Sequence, residues 1–310
     1  MNKEGLFSYF PKATGKRFKD IISVAKTFNI FWDTPDIFFT QLKWSPELID
    51  SFKKWKDQLD IPALINELNK HDIYCVSYSD PKYPQLLRQI PDPPITLFVR
   101  GTLPTTHYPI AVVGTRSNTS YGQQVTKQFV ATYADTHTSI ISGLALGIDG
   151  IAHQAALDNN IHTVAVLAGG IDECSLAPKS HMALARNIVA RGGAIISELP
   201  PGTEPRPYLF PKRNRIVAGM SQKIIVTEAP VRSGALITAY VAIDYNRDVA
   251  TLPHSVFSEQ GAGCNKLISN GAECLSLTQK SDAIPQKKLQ LSLNEQKVYS
   301  HISHDAISLR

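Results

Sequence analysis

The fold is decided by Ile110-Ala111-Val112-Val113-Gly114-Thr115-Arg116-Ser117, four apolar residues followed at once by glycine and polar side chains. The pattern returns at Ser139-Ile140-Ile141-Ser142-Gly143-Leu144-Ala145-Leu146-Gly147-Ile148-Asp149, and again where Thr163 to Leu167 runs into Ala168-Gly169-Gly170. Ala194 to Ser197, Lys223 to Val226 and Val249 to Leu252 supply three more short apolar runs, separated from one another by segments of helical periodicity. Strands that are apolar on every residue are buried on both faces. Alternating with helices, they predict an α/β protein with a doubly wound, Rossmann-like parallel sheet.

Upstream of this core the spacing changes. Phe18, Ile21, Ile22 and Ala25, then Leu48, Ile49, Phe52 and Trp55, fall at helical intervals. Ser45-Pro46 and Asp60-Ile61-Pro62 have the form of capped helix starts with proline in the first turn. Ile73 to Tyr78 reads as a strand. Pro81, Pro84, Pro91, Pro93 and Pro94 then predict an extended arm leading to a second strand at Leu97 to Arg100. Downstream, a polar stretch precedes one short amphipathic pattern at Leu293, Val298 and Ile302. The expected organisation is an all-helical module over residues 1–72, the α/β domain over 73–276, and a linker with a short tail over 277–310.

Composition narrows the classes. The chain has 310 residues, 43% of them apolar, with 32 Lys+Arg against 27 Asp+Glu, a surplus of five. That composition argues against long disorder, and no uncharged apolar run approaches the roughly 18 residues needed to span a bilayer. The first residues show no secretory signal, and Cys75, Cys174, Cys264 and Cys274 are too dispersed for a CxxC motif, so a cytoplasmic protein with reduced thiols is expected. Cys264 and Cys274 read as buried small residues.

In an open parallel sheet, ligands bind beyond the carboxyl ends of the strands, near helix N-termini that favour anions. One glycine at a strand exit is ordinary turn chemistry; three in successive units favour a phosphate-lined crevice. The chain has neither GxGxxG after its first strand nor GxxxxGK[ST], which argues against NAD or ATP, and no cofactor is expected. From Pro205 to Thr227 the chain carries Arg206, Lys212, Arg213, Arg215 and Lys223 and no acidic residue. Arginine forks suit phosphate oxygens, and Tyr208 and Phe210 could stack bases. Asn214, and Ser233-Gly234 at the next helix start, add polar groups on the same edge. An anionic polymer fits this edge better than a small ligand.

Catalytic patterns are thin. His153, four residues after Asp149, could act as a base or brace a loop. Ser142, Asp149 and His153 are close in sequence but lack a GxSxG elbow. His301 and His304 have HxxH spacing without further ligands, and no metal site is expected.

Taken together the residues resemble the bacterial DNA-processing protein A family, DprA, also called Smf. The resemblance is carried by Tyr83-Pro84, Leu97 to Gly101, Val112 to Arg116, Ser142 to Asp149 with His153, Phe210 to Gly219, Glu228-Ala229, Ser233 to Ala239, and Gly263 to Ile268 with Gly271-Ala272. It implies a helical module resembling a sterile alpha motif, an extended Rossmann-like domain that forms a homodimer, and a C-terminal winged helix, here begun near Leu291 and vestigial or truncated. The implied function is non-catalytic: protecting incoming single-stranded DNA and loading the RecA recombinase in natural transformation. Carried over by position, the DNA pocket comprises Gly114, Thr115, Arg116, Ser142, Gly143, Gly147, Arg206, Lys212, Arg213, Asn214, Arg215, Ser233 and Gly234, with Asp149 and His153 bracing the loops. The sequence departs from the family pattern at Glu173 to Lys179 and at Pro253-His254. An alternative is a Rossmann enzyme of the nucleoside-monophosphate phosphoribohydrolase type, but Ala168-Gly169-Gly170-Ile171 only partly resembles the PGGxGT loop those enzymes use.

Overall fold

The computed structural model describes residues 1–105, 108–134 and 137–277. The expected tail, with Leu291, His301 and His304, lies outside the described residues.

The strands are β1 (Tyr74–Ser77), β2 (Thr96–Gly101), β3 (Ile110–Val113), β4 (Ser139–Ser142), β5 (His162–Val166), β6 (Ala194–Ser197), β7 (Lys223–Val226), β8 (Asp248–Thr251) and β9 (Glu273–Cys274). They form one sheet in the order β1-β2-β6-β5-β4-β3-β7-β8-β9. From β6 to β9 every pairing is parallel, while β1 with β2 and β2 with β6 are antiparallel. Every residue of β3, β4 and β6 is buried; β3 is apolar throughout, while Ser139 and Ser142 of β4 and Ser197 of β6 are buried with their hydroxyls hydrogen-bonded. Expectation and structure agree on this α/β core, with β5 and β8 each beginning and ending one residue earlier than the apolar pattern suggested.

The helices are α1 (Lys3–Phe7), α2 (Gly15–Ala25), α3 (Phe28–Asp33), α4 (Pro46–Asp57), α5 (Ile61–Lys70), α6 (Gln85–Arg88), α7 (Ser120–Ala131), α8 (Ile148–Asp158), α9 (Met182–Ala190), α10 (Leu209–Gly219), α11 (Gly234–Asp244) and α12 (Ala262–Ser269). Thr14, Thr27, Ser45 and Asp60 cap α2 to α5 through side-chain oxygens. These helices enclose a second core of aromatic rings. Phe7, Phe18, Phe31 and Phe52 are fully buried, with Phe52 5.5 Å from Phe31 and 5.7 Å from Trp55. Such ring pairs contribute about 0.5–1.5 kcal/mol each beyond area burial.

Residues 1–278 form one compact unit. Ser77 Oγ donates to Asn2 Oδ1 at 2.6 Å, Ser79 N to Glu4 Oε2 at 3.1 Å, and Lys19 Nζ to the Ile90 and Pro91 carbonyls at 2.9 Å. The proline-rich connection is not the extended arm that was expected. It holds the short α6, and Tyr83, Leu87 and Ile90 are buried in the sheet's core, with Tyr83 Oη donating to the Pro94 carbonyl at 2.7 Å. Proline ruled out a long helix there without ruling out burial. Cys264 is buried as expected, but Cys274, on edge strand β9, is exposed.

Candidate nucleic-acid interface

Strand order reverses between β3 and β7: β4, β5 and β6 extend the sheet to one side, β7, β8 and β9 to the other. Loops leaving β3 and β7 diverge at such a point and open a crevice. Here the crevice has a volume of about 290 Å³ and is lined by the turns after β3, β4 and β7 together with α10 and α11. That is the lower end for small-molecule sites, a size suited to part of a larger ligand.

The glycine turns do not cradle an anion in the way their sequences suggested: a carboxylate takes the amides of the turn after β4, while Thr115 N donates to the Glu228 carbonyl at 2.7 Å and Gly170 N to the Thr203 carbonyl at 2.8 Å. After β3, the Glu228 carboxylate accepts Thr119 N at 2.8 Å and Thr119 Oγ1 at 2.6 Å, at the N-cap of α7. A Cβ on Gly122 would lie 2.1 Å from Glu228 Oε2, so glycine there admits the carboxylate. After β4, Asp149 Oδ2 accepts Gly143 N at 3.1 Å and Ala145 N at 3.4 Å. Beyond the turn after β5, Asp172 accepts Ser175 N at 3.0 Å and, from the loop after β6, Gly202 N at 2.7 Å. Burial pushes the Asp172 carboxyl upward, but these donors outweigh it and hold it below the usual carboxylate range. α11 differs: Ser233 caps it through Ala235 N, its first turn lines the crevice, and among the described residues no carboxylate is bonded to that turn.

The basic residues divide in the same way. Arg213 is buried, not displayed: Nη1 donates to the Val166 carbonyl at 2.7 Å, and the guanidinium lies so close under Gly143 that a Cβ there would be 1.7 Å from Nη1. Burial pushes the Asp149 carboxyl upward, while the Arg213 charge and the Gly143 and Ala145 amides favour its ionised form. Arg215 lies outside the crevice lining, pairing with Glu198 and, at 3.5 Å, with Asp92. Lys223, at the opposite end of β7, pairs with Glu273. The acid-free stretch is therefore acid-free only along the chain; three of its five cations meet internal partners folded in from elsewhere.

Arg116, Arg206, Lys212 and Arg232 are exposed and, among the described residues, make no ion pair. The Arg116 guanidinium lies 5.1 Å from the Phe210 ring centroid, and Lys212 Nζ lies 5.7 Å from that of Tyr208, which is 58% exposed. Arg232, on the crevice wall, was not singled out in the sequence because Val231-Arg232-Ser233 has no charge cluster; only the closeness of the β7 turn to Arg116 makes it part of the site.

Of the other expected residues, Gly114, Thr115, Gly143, Asn214, Ser233 and Gly234 line the crevice. Ser142 is buried and donates to the Val112 carbonyl at 2.7 Å. Gly147 has φ +76° where its backbone passes under Thr115, a position closed to other side chains. His153 is fully buried. Thr163 Oγ1 donates to the Ile140 carbonyl, so His153 Nδ1 must donate to that hydroxyl (2.7 Å), leaving Nε2 without a partner. Burial, aided by the charges of His181 and Arg213, pushes the imidazole down to about 3, so it stays neutral at physiological pH. Ser142, Asp149 and His153 therefore bond to three different groups and form no triad. At the departures from the family pattern, Glu173 pairs with Arg186 at 2.9 Å, and His254 Nε2 hydrogen-bonds the Thr227 carbonyl at 2.9 Å.

Sheet order and crevice define an α/β protein of Rossmann-like topology with a basic, aromatic-rimmed groove where the strand order reverses. The chain belongs to the DNA recombination-mediator protein A family, whose family model matches residues 74–286. It is 36% identical over 233 residues to the DNA processing protein DprA of Bacillus subtilis, covering 74% of this chain and 77% of that one. It is 42% identical to Protein Smf of Synechocystis over 74% of this chain and 58% of the relative. Among solved structures, DprA from Streptococcus pneumoniae superposes with a TM-score of 0.77 at 30% identity, covering 89% of this chain and 95% of that one. A structure describing the single-stranded DNA binding mode of DprA from Helicobacter pylori gives 0.58 at 25% identity, over 75% and 96%.

Proposed function

We propose that this chain binds single-stranded DNA along the carboxyl edge of its sheet, protects the strand and hands it to the RecA recombinase in natural transformation, working as a homodimer in the cytoplasm without chemistry of its own. The observation that carries the DNA reading is Arg116 and Arg232 on the wall of one crevice, unpaired among the described residues, with Phe210 beside Arg116 and the exposed Arg206, Tyr208 and Lys212 at the start of α10. Point charges follow a phosphate backbone without reading sequence, and rings accept any base. Membership of a recombination-mediator family supports the RecA and transformation steps. The nucleotide-cleaving alternative calls for a free carboxylate in the crevice; Asp149, which lines it, is held by two amides.

The test is fluorescence anisotropy with matched single- and double-stranded oligonucleotides at two salt concentrations. Preference for the single strand, with affinity falling as salt rises, supports the reading. Equal affinity for both, or none, overturns it.

A further inference from the structure

The loop from Pro253 to Gly261, which joins β8 to α12, carries the two most exposed large apolar side chains among the described residues: Phe257 at 94% and Val256 at 85%. This loop is firmly tied. His254 N donates to Asn265 Oδ1 and Asn265 Nδ2 to the His254 carbonyl, both at 3.0 Å, and the His254 ring packs edge-on against Tyr121 at 4.9 Å. Inside the loop, Phe257 N donates to Ser255 Oγ, Ser258 N to the Ser255 carbonyl, and Gly261 N to Ser258 Oγ. The phenyl ring is thus held out by a structured turn, in full contact with water, at an unfavourable hydration cost that burial against a partner would relieve.

Its position says which partner. β8 is the neighbour of β7, so this loop leaves the same sheet edge as the turn bearing Arg232. Thr115 Oγ1 donates to Gln260 Oε1 at 3.4 Å, and Gly263 N donates at 2.8 Å to the carbonyl of Ala229, next to Pro230 of the crevice wall. The loop therefore adjoins the crevice wall at Thr115 and beside Pro230. Glu259, exposed on the same loop, makes it unsuited to phosphate but leaves it suited to an uncharged base face.

We propose that Phe257 is a base-stacking position that extends the single-stranded DNA track beyond the crevice, across the β7 turn to the β8 loop. The proposal rests on the reading of the crevice as a single-strand site. One end of the track stacks on Tyr208 and Phe210, Arg116 and Arg232 take phosphates between, and the far base stacks on Phe257.

The experiment compares the full chain with Phe257→Ala, Phe257→Trp and Arg116→Glu variants, using oligothymidylates of about 4 and about 16 nucleotides, the span of common single-strand site sizes. Phe257 is exposed, so its replacement leaves the fold intact. Phe257→Ala is expected to weaken the long oligonucleotide roughly five- to a hundredfold, leave the short one unchanged, and leave the slope of log affinity against log salt unchanged, because no ion pair is lost. Phe257→Trp should restore the affinity. If Phe257→Ala binds the long strand as wild type does while Arg116→Glu is weakened, stacking at Phe257 is overturned and the crevice reading stands. A change in sedimentation with DNA affinity unaltered would make the loop a protein contact and also overturn the proposal. If the wild type binds neither oligonucleotide, the crevice reading itself fails.

Discussion

Arg213 and Arg232 show how little a side chain's type says about its task. Arg213 sits in the densest basic run of the sequence, yet it is buried against the Val166 carbonyl. Replacing it with Met would leave Asp149 buried without its counter-charge, and a loss of about 3 kcal/mol or more in urea unfolding is expected. Arg116→Glu and Arg232→Glu should leave stability almost unchanged. Each should weaken single-strand binding, and neutralising either to Gln should reduce the salt slope by roughly 0.7. His153 makes a prediction in pH. Its folded value is depressed to about 3, below the unfolded value near 6.5, so its neutral form supports the fold fully above pH 6.5 and that support is lost as pH falls. Between pH 7 and pH 5 this amounts to about 2 kcal/mol, and the decline in melting temperature over that window should be smaller in His153→Gln.

At the scale of elements, the parallel strands were legible because a strand buried on both faces keeps an apolar centre, as β3, β4, β6 and β7 do even where Ser139, Ser142, Ser197 and Lys223 stand at their ends. The glycines were legible as special positions but not for their purpose. A sequence shows where a backbone can approach closely; it does not show that Glu228, more than a hundred residues from Thr119, fills the place. Glu228→Ala should leave the Thr119 amide and hydroxyl unpartnered at the start of α7, costing about 1–3 kcal/mol and loosening the Arg116 turn, readable as faster amide exchange across residues 114–122. Likewise, five prolines between residues 81 and 94 excluded a long helix but could not show that Tyr83 would be anchored inside the core.

For the molecule as a whole, sequence spacing separated a helical module from an α/β domain, whereas contacts join them. Tyr9 packs against Phe98 of β2 at 5.5 Å, and Glu4 is 5% exposed while bonded to Ser79. Calorimetry should show residues 1–278 melting in one cooperative transition; two separated transitions would mean that residues 1–72 and 73–276 unfold independently. Net charge was equally incomplete as a guide. A surplus of five names no partner; what counts is place, with Arg116 and Arg232 on the crevice wall free of ion pairs among the described residues while Arg215 and Lys223 are paired.

The internal partners that occupy the amides of the three glycine turns also bear on competition inside a cell crowded with free nucleotides. A turn whose amides already have partners offers few donors to the triphosphate of a single nucleotide, while a long strand can engage several weak contacts together, each raising the effective concentration of the next. Millimolar ATP is therefore expected to leave a bound oligonucleotide in place, and an unlabelled strand to displace it. Ignoring the monomer is then a property of the scaffold, obtained by keeping its most inviting pockets closed.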